Sequence, residues 1–235
     1  MLRHPGLVLA AFACLLAIGP AAMATDSVCY GTTSNGRLEN GCKLPYAGEN
    51  FRAYSRLGAT LGRTHLHCRV AEVVLAAYED LRQQYPGKVF VYGETGWASG
   101  GSFKPHKTHQ NGLSVDFMVP VLDESGESVH LPTSVFNKYG YDVEFDARGR
   151  DGELTIDFEA LAAHVLAIKR AADAKQVRIW RVIFDPELQP FLHNTTAWPA
   201  LEGQVTFSER RSWVRHDDHY HIDFDVPCEP MDSGQ

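Results

Sequence analysis

The chain has no long apolar run beyond its first 24 residues, so nothing later reads as a membrane-spanning helix. It is short of basic residues: 22 Lys and Arg against 29 Asp and Glu give a net charge of −7. That balance disfavours a nucleic-acid binder, which normally presents a basic face and a high isoelectric point. No cysteine pair has the C-x-x-C spacing of a zinc knuckle. A G-x-S-x-G elbow, a phosphate loop and an H-E-x-x-H helix are all absent, which removes three common catalytic signatures. There is no internal repeat, no low-complexity tract and no linker that would divide the chain.

What is present begins with an export signal. Arg3 and His4 make a short positive head, "GLVLAAFACLLAIG" is an apolar segment, and Ala22, Met23 and Ala24 offer the small-x-small pattern of signal peptidase. Residues 1–24 are expected to be a signal peptide and residues 25–235 a single mature domain, soluble in the periplasm or outside the cell. Cleavage removes Cys14 and leaves Cys29, Cys42, Cys68 and Cys228. An even number in an exported chain points to two disulfides, with three pairings open.

Periodicity predicts two helices. "RVAEVVLAAYEDLRQQY" spaces Val70, Val73, Val74, Ala77, Tyr78 and Leu81 on one face, and Pro86-Gly87 stops it. "DFEALAAHVLAIKRAADAK" carries Phe158, Leu161, Val165 and Ile168 as its stripe, with Asp157 as N-cap. Strands are expected at "KVFVYGE", "LSVDFMVPV", "VRIWRVIFD" and "HYHIDFDV". In the second of these, Asp116 should share a face with Ser114 and Met118. The cysteine-bounded start, "CYGTTSNGRLENGCKLPYAGEN", has no sustained period and reads as an ordered loop.

The histidines carry the chemistry. Of eleven, five fall in two short clusters: His106 and His109, then His216, His219 and His221 in "HDDHYH". Imidazole and carboxylate both suit Zn²⁺, and a catalytic zinc typically keeps three protein ligands plus a water. Residues two apart on a strand face the same way, so His219 and His221 can look at one point. His109 and Asp116 complete a set if their strand is a neighbour. A lone H-x-H is more often surface decoration; two clusters with an intervening aspartate are harder to explain that way. His65, His67, His130 and His193 read as loop or surface residues and His164 as a helix-face residue. Asp217 and Asp218 read as solvated turn charges, or, so close to a cation, as groups that orient a ligand from behind.

The H-x(6)-D from His109 to Asp116, followed far downstream by H-x-H at His219 and His221, resembles the signature of the LAS zinc metallopeptidases. Within that group the chain most resembles the penicillin-insensitive murein endopeptidase family, through "SNGRLENGCKLP", "GGSFKPHKTHQNGLSVDF", "RVIFDPEL" and "SWVRHDDHYHIDF". The resemblance implies an α+β fold, in which a small antiparallel sheet carries the site and helices pack behind it. It assigns His109, Asp116 and His221 to one Zn²⁺, makes His219 the catalytic histidine and His216 its partner, and leaves His106 beside the metal or a second ion. No D-x-x-H lies between the two halves to complete a dinuclear site. The implied substrate is the D-Ala–meso-diaminopimelate cross-link of peptidoglycan, with Lys104, Lys107, Arg148 and Arg150 as candidates for holding its carboxylates. Two alternatives remain: an enzyme trimming D-Ala-D-Ala termini, and a zinc-stabilised cell-wall binding module without catalysis.

Overall fold

The computed structural model describes residues 26–231 apart from Trp213; the expected signal peptide lies outside the described residues. Both long helices form where the apolar spacing predicts, at Cys68–Gln84 (α1) and Phe158–Ala174 (α2). Every residue of the first predicted stripe is buried, and the Asp157 carboxylate caps α2 by accepting from the Ala160 amide. The two helices pack against each other and against one face of the central sheet.

That sheet has five strands: Phe51–Ala53 (β1), Phe90–Tyr92 (β2), Ser114–Met118 (β3), Arg178–Ile183 (β4) and His219–Asp225 (β5). Their order is β4-β5-β3-β2-β1. Three of the four pairings are antiparallel, but β1 runs parallel to β2, so the expected antiparallel sheet is mixed at one edge. The reason is topological. The chain leaves β1, passes through α1 and returns as β2, and a helical crossover brings the second strand back in the same direction. A smaller four-stranded antiparallel sheet forms from Val121–Leu122, Ser128–Val129, Arg150–Asp151 and Leu154–Ile156. The fold is therefore mixed α+β.

Alternation along β5 decides what each face does. Tyr220, Ile222 and Phe224 point toward the helices, where Tyr220 stacks on Phe117 at 5.5 Å between ring centroids. His164 lies on the inward face of α2, stacked on Tyr78 at 5.1 Å and paired with the Tyr220 hydroxyl. Burial there drives its pKa down to about 3, so it sits in the core as a neutral ring. His219, His221 and Asp223 take the opposite face.

Two expectations are corrected at the N-terminal segment. It is not a loop: Val28–Thr32 and Asn35–Glu39 form a regular antiparallel hairpin. Its apolar content is too low to show a period because only a few side chains, Cys29 and Leu38 among them, reach the core. His67, read as loop or surface, is buried at the N-cap of α1, where its Nδ1 accepts from the Arg69 amide.

Of the three disulfide pairings, the structure has Cys29–Cys228 and Cys42–Cys68. The first ties residues 199 apart in sequence. In the loop-closure picture, removing so long a constraint costs about 5 kcal/mol. Replacing Cys29 and Cys228 together with serine is expected to destabilise the fold on that order, read as a lower urea midpoint at an otherwise cooperative transition.

Candidate metal centre

Strand register brings the two histidine clusters together. β3 and β5 pair so that His221 faces Asp116, His219 faces Met118 and Asp223 faces Ser114. His109 arrives from the loop before β3 with a φ of 68°, a left-handed conformation that a non-glycine residue seldom adopts. Its ring is fully buried, and its Nδ1–H donates to the Thr95 carbonyl at 3.1 Å. All six nominated residues, His106, His109, Asp116, His216, His219 and His221, lie at or beneath one cleft of about 680 Å³.

Asp116 is the hub. His221 Nδ1 lies 2.8 Å from its Oδ1, and His109 Nε2 lies 3.3 Å from the same oxygen. His106 Nδ1 sits 3.6 Å from its Oδ2, while the Tyr141 hydroxyl donates to that oxygen at 2.9 Å. Among the described residues, the ligand atoms of His106, His109 and Asp116 all lie within 4.8 Å of one another, close enough for a single cation. His219 and His216 stand to one side, their rings 4.6 Å apart. The outer nitrogens are held too: His219 Nδ1 pairs with Asp218, and His216 Nδ1–H donates to the Val214 carbonyl at 2.9 Å.

The charges follow from this crowding. Burial opposes ionisation of Asp116, yet His109 and His221 hold its carboxyl well below the usual range. Burial likewise opposes charge on His221, but Asp223 and then Asp116 push its pKa up to about 10. His216 goes the other way, down to about 3, because it is buried beside His219. A ring so buried, donating at Nδ1, is neutral and keeps its Nε2 lone pair as an acceptor.

Among the histidines and Asp116 of this cluster, one buried nitrogen has no hydrogen-bond partner. His109 Nε2 is buried and has no hydrogen-bond partner, although it lies 3.3 Å from Asp116 Oδ1. Leaving a buried polar atom unsatisfied costs on the order of 1–3 kcal/mol. With Nδ1 already carrying the proton, Nε2 has its lone pair beside an anion, an arrangement that a cation bound to both resolves. The donor set of two or three imidazoles and a carboxylate suits a divalent metal.

Glu94 and Tyr141 escaped the sequence reading, and the expectation that the two aspartates are solvated is corrected. Asp217 and Asp218 are buried rather than solvated: Asp217 accepts from the Phe145 amide and pairs with Arg215, and Asp218 supports His219. Glu94 holds His106 Nε2 at 2.6 Å and is itself held by Arg63 and Tyr54. Tyr141 comes from the turn-rich segment, where no period exists to announce it. Of the four cations expected to hold substrate, Lys107 lines the cleft, whereas Arg148 and Arg150 belong to the Asp146 turn.

A family model described as penicillin-insensitive murein endopeptidase matches residues 29–233, which include every residue of this cluster. The chain belongs to that family. No individually curated protein matches it. Membership in the murein endopeptidases makes peptidoglycan the substrate class and a peptidase the activity. It also fits a chain in which, among the described residues, no helix is long and apolar enough to cross a membrane. For a murein endopeptidase built this way, Gly93 is a sensitive position. A Cβ there would stand 2.5 Å from the Tyr141 hydroxyl and 2.9 Å from Asp116 Cβ. Gly93→Ala is expected to displace both, costing about 1–3 kcal/mol of stability and weakening metal binding at least tenfold, as read by thermal unfolding and chelator competition.

Proposed function

We propose that the chain is a zinc-dependent D,D-endopeptidase that hydrolyses the D-Ala–meso-diaminopimelate cross-links of peptidoglycan. It is exported to the periplasm after loss of residues 1–24 and works as a single LAS-type domain over residues 25–235. His109, Asp116 and His221 hold one Zn²⁺ per chain, with His106 beside it. The observation that carries this reading is the buried His109 Nε2, without a hydrogen-bond partner and 3.3 Å from Asp116 Oδ1, the oxygen that His221 Nδ1 also meets at 2.8 Å.

Held by His109, Asp116 and His221, zinc would supply a Lewis acid, the chemistry that brings the pKa of a water toward 7 and polarises a scissile carbonyl. The chain's own residues supply the rest. His219 is anchored through Nδ1 by Asp218, so Nε2 is the atom that takes a proton and returns it to the leaving amine. His216 accepts through Nε2 and orients the attacking water toward His219. Tyr141 fixes the Asp116 carboxylate from one side and packs against the His219 ring at 4.9 Å. Asp116, His216, His219 and His221 are buried, which strengthens each of these contacts.

The test uses mature protein and purified cross-linked muropeptide dimers. Stripping the protein with a chelator is expected to abolish conversion to monomers, and one equivalent of zinc to restore it. Dimers left intact by the zinc-loaded protein would overturn the assignment.

A further inference from the structure

One rung below the metal centre, a second polar row crosses three strands. The upper rung is Ile183 on β4, His221 on β5 and Asp116 on β3; the lower is Arg181, Asp223 and Ser114. Asp223 is fully buried, and each of its oxygens is occupied. Oδ1 accepts from the Ser114 hydroxyl at 2.6 Å and faces His221 Nε2 at 2.8 Å. Oδ2 accepts from Arg181 Nε at 2.7 Å. An ionised carboxylate only accepts, so the contact requires a proton on His221 Nε2. The other ring nitrogen, Nδ1, faces the Asp116 carboxylate at 2.8 Å and by the same rule carries a proton in the metal-free chain, the one a metal between them would displace.

His109 shows the same logic with its nitrogens exchanged. Its outer atom is Nδ1, which donates to the Thr95 carbonyl, and its inner atom is Nε2. In each ring an outer acceptor decides which nitrogen is left to face the hub. A carbonyl does this for His109, and a braced carboxylate does it for His221.

We propose that Asp223, braced by Arg181 and Ser114, is a positioning residue that holds His221 with its proton on Nε2, making Nδ1 the nitrogen that binds the metal. The inference rests on the zinc reading above. An acceptor behind a ligating imidazole fixes ring orientation and raises ligand basicity, and losing it typically weakens metal binding 10- to 100-fold.

The discriminating variant is Asp223→Asn, which keeps shape but has a single acceptor oxygen. Arg181 can only donate, so the amide oxygen turns to it and the NH₂ turns to His221 and Ser114. His221 must then accept at Nε2 and carry its proton on Nδ1, the wrong nitrogen for the site. Zinc affinity of the variant, measured by chelator competition, is expected to fall roughly 10- to 100-fold. Long-range proton–nitrogen spectra of the zinc-loaded wild type should show His221 protonated at Nε2 and zinc-shifted at Nδ1. A folded variant with wild-type affinity, or a wild-type His221 bound through Nε2, overturns the proposal. Should the variant fail to fold, the wild-type spectrum decides alone. A wild-type chain that takes up no zinc removes the zinc reading together with this one. Zinc uptake that Asp223→Asn leaves unchanged removes this one only.

Discussion

His219→Ala is expected to lower kcat on cross-linked muropeptides by about 10²- to 10⁴-fold, the usual contribution of a positioned general acid or base, while zinc content stays at that of the wild type. His219 shares the face of β5 with His221, but its Nδ1 is tied to Asp218, whereas His221 Nδ1 lies 2.8 Å from Asp116 Oδ1. Losing its ring removes a proton acceptor without removing a donor from the metal. The fold should survive, because the core of β5 is built from Tyr220, Ile222 and Phe224 on the other face. Kinetics and metal analysis on the same preparation separate the roles. Loss of zinc with loss of activity would make His219 a ligand, and unimpaired turnover would remove it from the reaction altogether. A wild-type protein that binds zinc and cleaves nothing would return the molecule to the binding-module reading.

The second large effect is at Asp116. Asp116→Asn keeps the volume and removes the charge that faces His106, His109 and His221. Zinc binding should weaken by more than the roughly 10- to 100-fold that follows loss of an outer partner, since here the carboxylate itself is the ligand. The metal-free protein should lose stability as well. Removing one member of a buried ion pair leaves the other uncompensated and typically costs about 3–5 kcal/mol, and the His221 ring that faces Asp116 is buried. Equilibrium denaturation of the metal-free proteins reads the second effect, and isothermal titration with zinc reads the first. An Asp116→Asn protein that binds zinc like the wild type would contradict the ligand set.

How much of this was legible in the sequence depends on which physical signal each residue leaves. α1 and α2 were readable because a helix on a sheet must bury a stripe of 3.6-residue period, and Val70 through Leu81 show one. The face of β5 was readable too, since alternation alone puts His219 and His221 together. Alternation does not reveal register, however. That Asp116 lies opposite His221, and Arg181 opposite Asp223, depends on which strands become neighbours. Asp223 was visible as the next residue on the histidine face, yet its meaning lay in partners on two other strands. Glu94 and Tyr141 were harder still, because turns and strand ends leave no period to read. The parallel β1–β2 pair was hidden for a related reason: β1 is three residues long, too short for any pattern.

The central claim is that His109, Asp116 and His221 hold one zinc. Anomalous diffraction at the zinc edge from crystals of the mature, zinc-loaded protein tests it most directly. The account predicts a single strong peak bounded by His109 Nε2, the Asp116 carboxylate and His221 Nδ1, with His219 and His216 facing it from the cleft. A peak at any other set of side chains, or none in crystals grown with zinc, would contradict it.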